Sequence, residues 1–526
     1  MKRAVSEPSE PHRDSQPMRF AGDGSASPLA GVWGRHDEYA LTLNHQAQIA
    51  LLALCAQVAT AVTPLIVNGT DFVNSVTGQR FQVIGAAYQP GGEAGYKPET
   101  GQDALSNADN CLRDAALLQR IGVNTIRVYN LSPDINHDEC ASIFNIAGIY
   151  MMLDVNTPKP NESLDRSVPW ESYNHDYLER TFKIVEAFKN YPNTLLFFSA
   201  NEVINDVKTA ITVPYIRAVT RDLKQYIKNH VDRPIPVGYS AADVREVLLD
   251  TFNYLQCSLT GDATDDSITD VFALNSYSWC GKATFDEAGY NTLVDMFKKS
   301  SVPVFMSEYG CREIRPRVFD ETAALYSSKM NPYFSGGVVY EYTQEKNDFG
   351  LVILNSDGSA KLKVDYDNFQ SQLAGLNITE LQSTSSSAAA TPFPKCVSSL
   401  IKDKGYPNDF TKIPSPPNDG LAALIKAGVK SPKTGKLVTI SNLKVKQVVK
   451  NSDDTVITGL EVKRLTDGNV PTQTTTGSVS VSAPTATGTA TTEAAQETST
   501  SAAVGTKQLG GFGFVMSSVL TALYLI

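Results

Sequence analysis

Between residues 83 and 344 short apolar runs alternate with longer amphipathic stretches, and this alternation is the main fold signal in the chain. The eight apolar runs are Val83 to Gln89, Thr125 to Asn130, Tyr150 to Asn156, Leu195 to Glu202, Ile235 to Ala241, Val271 to Trp279, Val302 to Tyr309 and Gly337 to Thr343. The seventh is the clearest: VPVFMSEYG, bounded by Pro303 and Gly310, reads as a buried strand with a carboxylate, Glu308, where it emerges. Helical stretches lie between the runs. In His175 to Tyr191, Leu178, Phe182, Val185 and Phe188 recur at helical spacing, and Pro214 to His230 opens with proline at a first-turn position. Phe285 to Lys299 and Val318 to Met330 flank the seventh run, and Tyr366 to Leu376 follows the eighth. Eight strands with helices between them predict an α/β fold, a (β/α)8 TIM barrel over residues 64–378. A doubly wound open sheet is the alternative, but no glycine-rich phosphate loop follows the first strand.

Outside that span the pattern stops. STSSSAAATP marks a linker, assigned to 379–395, and Cys396 beyond it suggests that the chain is stapled back onto the barrel. Residues 396–466 are expected to form a small appendage, with a helix over Gly420 to Ala427 and β structure in Lys436 to Lys450 and Asp454 to Leu465. The Ser/Thr/Ala/Pro bias of 467–501 reads as a mucin-like stalk. In 502–526 small residues, a polar spacer and the apolar tail Leu509 to Ile526 match a GPI-anchor signal, with a C-terminal membrane helix as the alternative. Residues 1–46 lack apolar periodicity and are read as a disordered extension. They precede a secretory signal at 47–61, cleaved after about Ala61. Such a signal normally begins the chain, so the extension is read as a mistaken gene start in preference to a later translation start or a signal anchor.

Composition narrows the setting. A formal charge of −10 disfavours nucleic acid as a partner. Of seven cysteines, Cys55 falls in the presumed signal, leaving Cys111, Cys140, Cys257, Cys280, Cys311 and Cys396. An even set in a secreted chain is expected to be oxidised, although the count alone leaves all pairings open. None shows metal-site spacing, so neither a metal nor another cofactor is expected. Sequons stand at Asn68, Asn130, Asn161 and Asn377, the first and last being the better placed for glycans.

The chemistry lies at the strand ends. Glu308 ends the seventh run, and LLFFSANE ends the fourth with Asn201 and Glu202. Two carboxylates delivered by buried strands are the minimum equipment of a retaining glycosidase, which needs one ionised and one protonated, about 5 Å apart. An amide beside the acid can hydrogen-bond a sugar 2-hydroxyl, so Glu202 is assigned as acid/base and Glu308 as nucleophile. Tyr277, near the end of the preceding run, can donate to Glu308 and hold it ionised. Other run ends supply Tyr88, Gln89, Arg127, Tyr129, Asp154 and Tyr340, a mouth of aromatic faces and polar edges suited to a glucan chain.

Taken with GAAYQPGG, IRVYNLSP, YMMLDVN, SANEV, VGYSAADV, LNSYSWCG, FMSEYGC and VVYEYTQE, these residues resemble the fungal β-1,3-glucanosyltransferases of the Gas, Gel and Phr type, from about Pro64 to Cys396. The resemblance implies a TIM-barrel cell-surface enzyme that cleaves an internal β-1,3 bond, holds the donor as a glycosyl-enzyme and passes it to the non-reducing end of another glucan. It implies Glu202 and Glu308 in the roles just given, and donor contacts at Tyr129, the loop after Asp154, Asn201 and Tyr340. It also implies an acceptor-side acid at Asp243. The family's acceptor-side arginine falls nearest Leu248, and the closest basic residue is Arg245. Disulfides implied are Cys111–Cys140, Cys280–Cys311 and Cys257–Cys396. The cysteine-rich glucan-binding module of some members is absent, since only Cys396 follows the barrel. Three readings follow: transglycosylation, endo-β-1,3-glucanase action with the same glutamates, or a non-catalytic glucan-binding wall protein.

Overall fold

The computed structural model describes residues 62–383, 391–403, 405–417 and 420–465. The N-terminal extension, signal, stalk and anchor signal fall outside the described residues, as does part of the expected linker. No described helix is long and apolar enough to cross a membrane.

Eight parallel strands close into a barrel in chain order: β1 (Val83–Ala87), β2 (Thr125–Val128), β3 (Tyr150–Asp154), β4 (Thr194–Asn201), β5 (Val237–Ala242), β6 (Val271–Asn275), β7 (Val304–Tyr309) and β8 (Gly336–Val339). All eight expected strands are present. Most stop short of the apolar runs that announced them, because the last residues of those runs turn out into the loops of the mouth. Closure between β8 and β1 is tight: Gly336 has φ +93°, and a Cβ there would lie 2.1 Å from the Val83 carbonyl oxygen.

Eight helices follow the strands: α1 (Ala108–Arg120), α2 (Asp138–Ile146), α3 (His175–Phe188), α4 (Val213–His230), α5 (Arg245–Gln256), α6 (Tyr290–Phe297), α7 (Asp320–Leu325) and α8 (Val364–Ala374). Asn107 and Asn174 cap α1 and α3 by accepting from the backbone N–H groups of Asn110 and Tyr177. The α3 residues Leu178, Phe182, Val185 and Phe188 are fully buried, as their spacing predicted.

Two apolar cores result. One lies between strands and helices. The other fills the barrel with Met152, Leu196, Phe198, Phe305 and Val338, and is closed at the N-terminal ends of the strands by an antiparallel sheet of Leu65–Asn68, Asp71–Asn74 and Arg80–Phe81. Phe72 of that plug meets Phe305 edge-on with ring centroids 5.9 Å apart.

The segment expected as a small appendage is instead a strap. The helix α9 (Leu421–Ala427) forms close to where it was expected, but the alternating stretches contribute only Val449–Lys450 and Val456–Ile457. Val449–Lys450 pairs with Ala360–Leu362, which forms a hairpin with Val352–Leu354 after β8, and Val456–Ile457 adds outside Val449–Lys450. Most of the remaining apolar residues pack on the barrel's own helices, which is why no separate core forms. From the Cys257–Cys396 disulfide the chain passes α5, where the Tyr406 hydroxyl donates to the Val247 carbonyl at 2.9 Å. It then crosses α4, where the Val429 N–H donates to Tyr226 at 3.2 Å, and α3, where the Gly435 N–H donates to the Ala187 carbonyl at 3.2 Å. At α2 the Val438 N–H donates to Ser142 at 2.8 Å, and at α1 Lys446 pairs with Asp109 at 3.1 Å. The strap thus runs round the barrel against the order of the helices. It turns back to pack a half-buried Leu465 beside Ile146 and Gly148, at the closed end. The expected linker also starts later than its composition suggested, since Ile378–Ser383 is helical.

Candidate active site

Where β2, β3, β4, β6 and β7 open into the mouth, their polar ends meet in one buried network. Arg127 of β2 is its hub and is fully buried. Its Nε and Nη2 donate to the two carboxylate oxygens of Asp154 at 3.0 and 3.1 Å, Nη2 also donates to Asn201 Oδ1 at 2.9 Å, and Nη1 donates to Asn275 Oδ1 and Glu308 Oε1, both at 3.2 Å. Its guanidinium also lies over the rings of Tyr129 and Phe198 at 4.5 and 4.6 Å. Burial opposes the Arg127 charge, but Asp154, Tyr129 and Glu308 outweigh it and hold the pKa above the ordinary value.

Glu308 is 8% exposed and accepts three donors: Arg127 and the Tyr129 hydroxyl on Oε1, the latter at 3.0 Å, and the Tyr277 hydroxyl on Oε2 at 2.6 Å. Burial pushes its carboxyl up to about 7, and Glu202 adds to that push, while Arg127, Tyr277 and Tyr129 pull it down. Burial first, then the facing Glu308 charge, raises the Tyr277 hydroxyl well above its usual range, so it remains a donor. The three donors favour the anion and burial the protonated form, and burial is the larger of the two.

Glu202 follows β4 with φ +49°, left-handed backbone unusual for a residue with a side chain. That conformation is fixed by a bond from its N–H to the Ser240 carbonyl at 2.8 Å. Its carboxylate accepts from Asn275 Nδ2 at 2.9 Å, and the same nitrogen donates to Asn201 Oδ1 at 3.1 Å. Asn275 Oδ1 is held in turn by Ser240 at 3.0 Å and Ser307 at 2.8 Å. Because Arg127 bonds both Asn275 and Glu308, this amide and that guanidinium together tie the two glutamates into a single frame. Around Glu308 the rings of Tyr129, Tyr277 and Phe349 stand edge-on to Tyr340, with centroids 6.3, 6.2 and 5.2 Å from it, and form an aromatic wall.

The sequence relationships agree with this geometry. Residues 54–377 match the profile of glycoside hydrolase family 72, the glucanosyltransferases. The chain belongs to that family. It is 49% identical over 430 residues to the 1,3-beta-glucanosyltransferase gel2 of Aspergillus fumigatus, covering 81% of this chain and 89% of the relative. It is 43% identical over 441 residues to the probable 1,3-beta-glucanosyltransferase GAS3 of Saccharomyces cerevisiae, covering 79% and 83%. Among solved structures it resembles a Saccharomyces cerevisiae Gas2p mutant in complex with laminaritetraose and laminaripentaose, with TM-score 0.59 and 32% identity over 68% of this chain and 75% of that one.

Within this glucanosyltransferase barrel the expected site residues divide. Glu202, Glu308, Asn201, Tyr129, Tyr277 and Tyr340 converge on the mouth, and Gln89 sits half-buried in the turn after β1. Asp243 and Arg245 meet at the end of β5, where Arg245 Nη2 donates to Asp243 at 3.0 Å and Ser276 donates to the same oxygen at 2.6 Å. Leu248 is buried in α5, so the basic group at that rim is Arg245.

Two expectations are corrected. Tyr88 is fully buried and points outward into the helix layer, where its hydroxyl donates to Asp114 at 2.9 Å beside Tyr342. Alternation along β1 sends Val83 and Ala87 into the barrel and Ile84, Ala86 and Tyr88 to the helix side, so a run-end position alone did not put Tyr88 in the mouth. Asp154 is 4% exposed and spends both oxygens on Arg127, so it supports the site from beneath without facing a sugar. The sequenced-based reading also missed Asn275, Ser240, Ser307 and Phe349, and placed Arg127 only as a mouth-lining residue. Asn275 carried a legible signal, an amide closing an apolar strand just as Asn201 does.

Each disulfide is the one the resemblance implied: Cys111–Cys140, Cys257–Cys396 and Cys280–Cys311. Of the four sequons, Asn68, Asn161 and Asn377 are exposed, while Asn130 is buried.

Proposed function

We propose that the protein is a retaining β-1,3-glucanosyltransferase that elongates cell-wall glucan. The observation that carries this is the pairing of Glu308, its carboxylate met by three donors, with Glu202, which Asn275 joins to the same Arg127 that holds Glu308. In this reading Glu202 protonates the leaving glycosidic oxygen while a Glu308 oxygen attacks the anomeric carbon. The C–O bond breaks as the ester to Glu308 forms. Positive charge developing on the sugar favours the Glu308 anion against the cost of its burial. Glu202, now ionised, takes the proton of an incoming glucan hydroxyl, and that oxygen displaces Glu308. Among the described residues Asn201 Oδ1 is taken by Arg127 and Asn275, which leaves its Nδ2 for the donor's 2-hydroxyl. Tyr129, Tyr340 and Gln89 serve the donor chain in this reading, and Asp243 with Arg245 the acceptor. The relatives' names and the oligosaccharides bound to Gas2p support β-1,3-glucan as both partners.

The test is to incubate the protein with a reduced β-1,3-linked glucan oligosaccharide and separate the products by size. Products longer than the substrate support transfer, and exclusively shorter ones assign the protein as an endo-glucanase. Roles are separated with an activated donor and azide: Glu202→Ala is expected to give the β-glycosyl azide through the glycosyl-enzyme, whereas in Glu308→Ala azide can only replace the nucleophile and give the α-glycosyl azide. An α-glycosyl azide from Glu202→Ala would reverse the assignment.

The same proposal places the enzyme at the outer face of the cell membrane, carried on a GPI anchor that replaces the tail within 502–526. Its support is the order of small residues, spacer and apolar tail. Release of the protein from intact cells by phosphatidylinositol-specific phospholipase C tests it.

A further inference from the structure

The strap is charged unlike the rest of the molecule. Residues 391–465 hold 13 Lys and Arg against 6 Asp and Glu, a net of +7, so with −10 overall the remainder of the chain carries −17. The concentration is sharper between Lys426 and Lys450, which contain seven lysines and no acidic residue. All seven are exposed.

A basic strap on an acidic barrel has an obvious internal use, holding itself down by ion pairs, and the structure does not put the lysines to that use. Of the seven, only Lys446 pairs with a barrel carboxylate, Asp109. Lys433 donates to the Asp134 backbone carbonyl, and the other five have no ion pair among the described residues. The strap is seated by backbone hydrogen bonds and by buried apolar side chains such as Leu421, Ile425, Val429 and Val449. Its charge faces outward.

The form of the stripe selects the partner. It crosses α4, α3, α2 and α1 in succession, so a planar membrane could touch only part of it. A flexible chain can follow it. No aromatic residue lies between Lys426 and Lys450 to stack a base or anchor in a bilayer interface, and no arginine offers bidentate phosphate contacts. Lysines alone are point charges suited to non-specific, salt-sensitive contact with a polyanion. We propose that the strap between Lys426 and Lys450 binds a flexible anionic polysaccharide along the outside of the barrel, apart from the glucan cleft. This holds an enzyme acting on neutral glucan beside acidic glycan without using the active site.

The experiment compares the purified full chain with a Lys430→Glu/Lys436→Glu/Lys444→Glu variant for binding to immobilised dextran sulfate, neutral dextran and phosphatidylserine vesicles over a salt series. Expected is retention on dextran sulfate alone, released by salt, and about tenfold weaker at low salt in the variant. Thermal melting and turnover of neutral β-1,3-glucan oligosaccharides are expected to match between the two, which separates this site from the catalytic one. Absence of retention, equal retention of the variant, or binding to the vesicles but not to dextran sulfate would each overturn the proposal.

Discussion

Tyr277→Phe is the sharpest test of how the mouth works. The substitution removes one hydroxyl and keeps the ring that packs against Tyr340 and Phe349, at 6.2 and 5.5 Å between centroids. What is lost is the 2.6 Å bond to Glu308 Oε2, while Oε1 keeps Arg127 and Tyr129. A hydrogen bond to a charged group contributes about 1.5–3 kcal/mol. If that much is lost in the transition state, kcat/KM falls about 10- to 150-fold. The pH profile discriminates further. Burial carries the Glu308 pKa up to about 7 even against the Tyr277 hydroxyl, one of the groups that lower it, so removing that hydroxyl raises it further. Because the nucleophile must be ionised, the acidic limb of kcat/KM should then move to higher pH. The assay is kcat/KM for transfer on a reduced β-1,3-glucan oligosaccharide, measured across the limb for both proteins. A limb that stays in place with a rate within twofold of the parent refutes the argument, because the bond would then be idle in catalysis.

Burial pushes Glu308, Glu321 and Glu341 each up to about 7 from an ordinary 4.5. The folded chain therefore holds protons that the unfolded chain has lost between those values, so their contribution is full below about 4.5 and is lost as pH rises through 7. The melting temperature should fall from pH 5 to pH 8, and Glu321→Gln should flatten the fall; a rising curve contradicts the assignment. Replacing Cys257 and Cys396 together by alanine opens a closure spanning 139 residues, worth at most about 5 kcal/mol on chain-entropy grounds. It should lower the melting temperature and expose the strap to protease before the barrel, and simultaneous digestion of both would count against a separately anchored strap. Tyr88→Phe should cost stability through Asp114 and leave KM for glucan within twofold, whereas a large KM change would return Tyr88 to the cleft.

The barrel was legible because its strands are buried on both faces and its helices on one, two periods that survive in a single sequence. Glu202 and Glu308 were legible because a carboxylate closing an apolar run is conspicuous. The hub was harder to see. Arg127 sits inside TIRV as one cation among apolar residues, and nothing local says that its partners lie 27, 74, 148 and 181 residues away. Tyr88 failed for a related reason, since being at the end of a run does not say which face of the strand a residue takes, and alternation sends Tyr88 with Ile84 and Ala86 to the helix layer. The strap was misread because alternating apolar residues look the same whether their partner is a neighbouring strand or the side of a helix.

Leu465 rests at the pole opposite the mouth, and its position bears on where the enzyme can work. With the tail beyond it tethered as proposed, the catalytic opening points away from the bilayer and towards the polymer outside. The 36 residues of 466–501 set an upper limit of about 120–130 Å on the height at which the barrel can ride. On that proposal, such a tether would let one molecule sweep a shell of glucan ends while its own membrane stays out of the cleft.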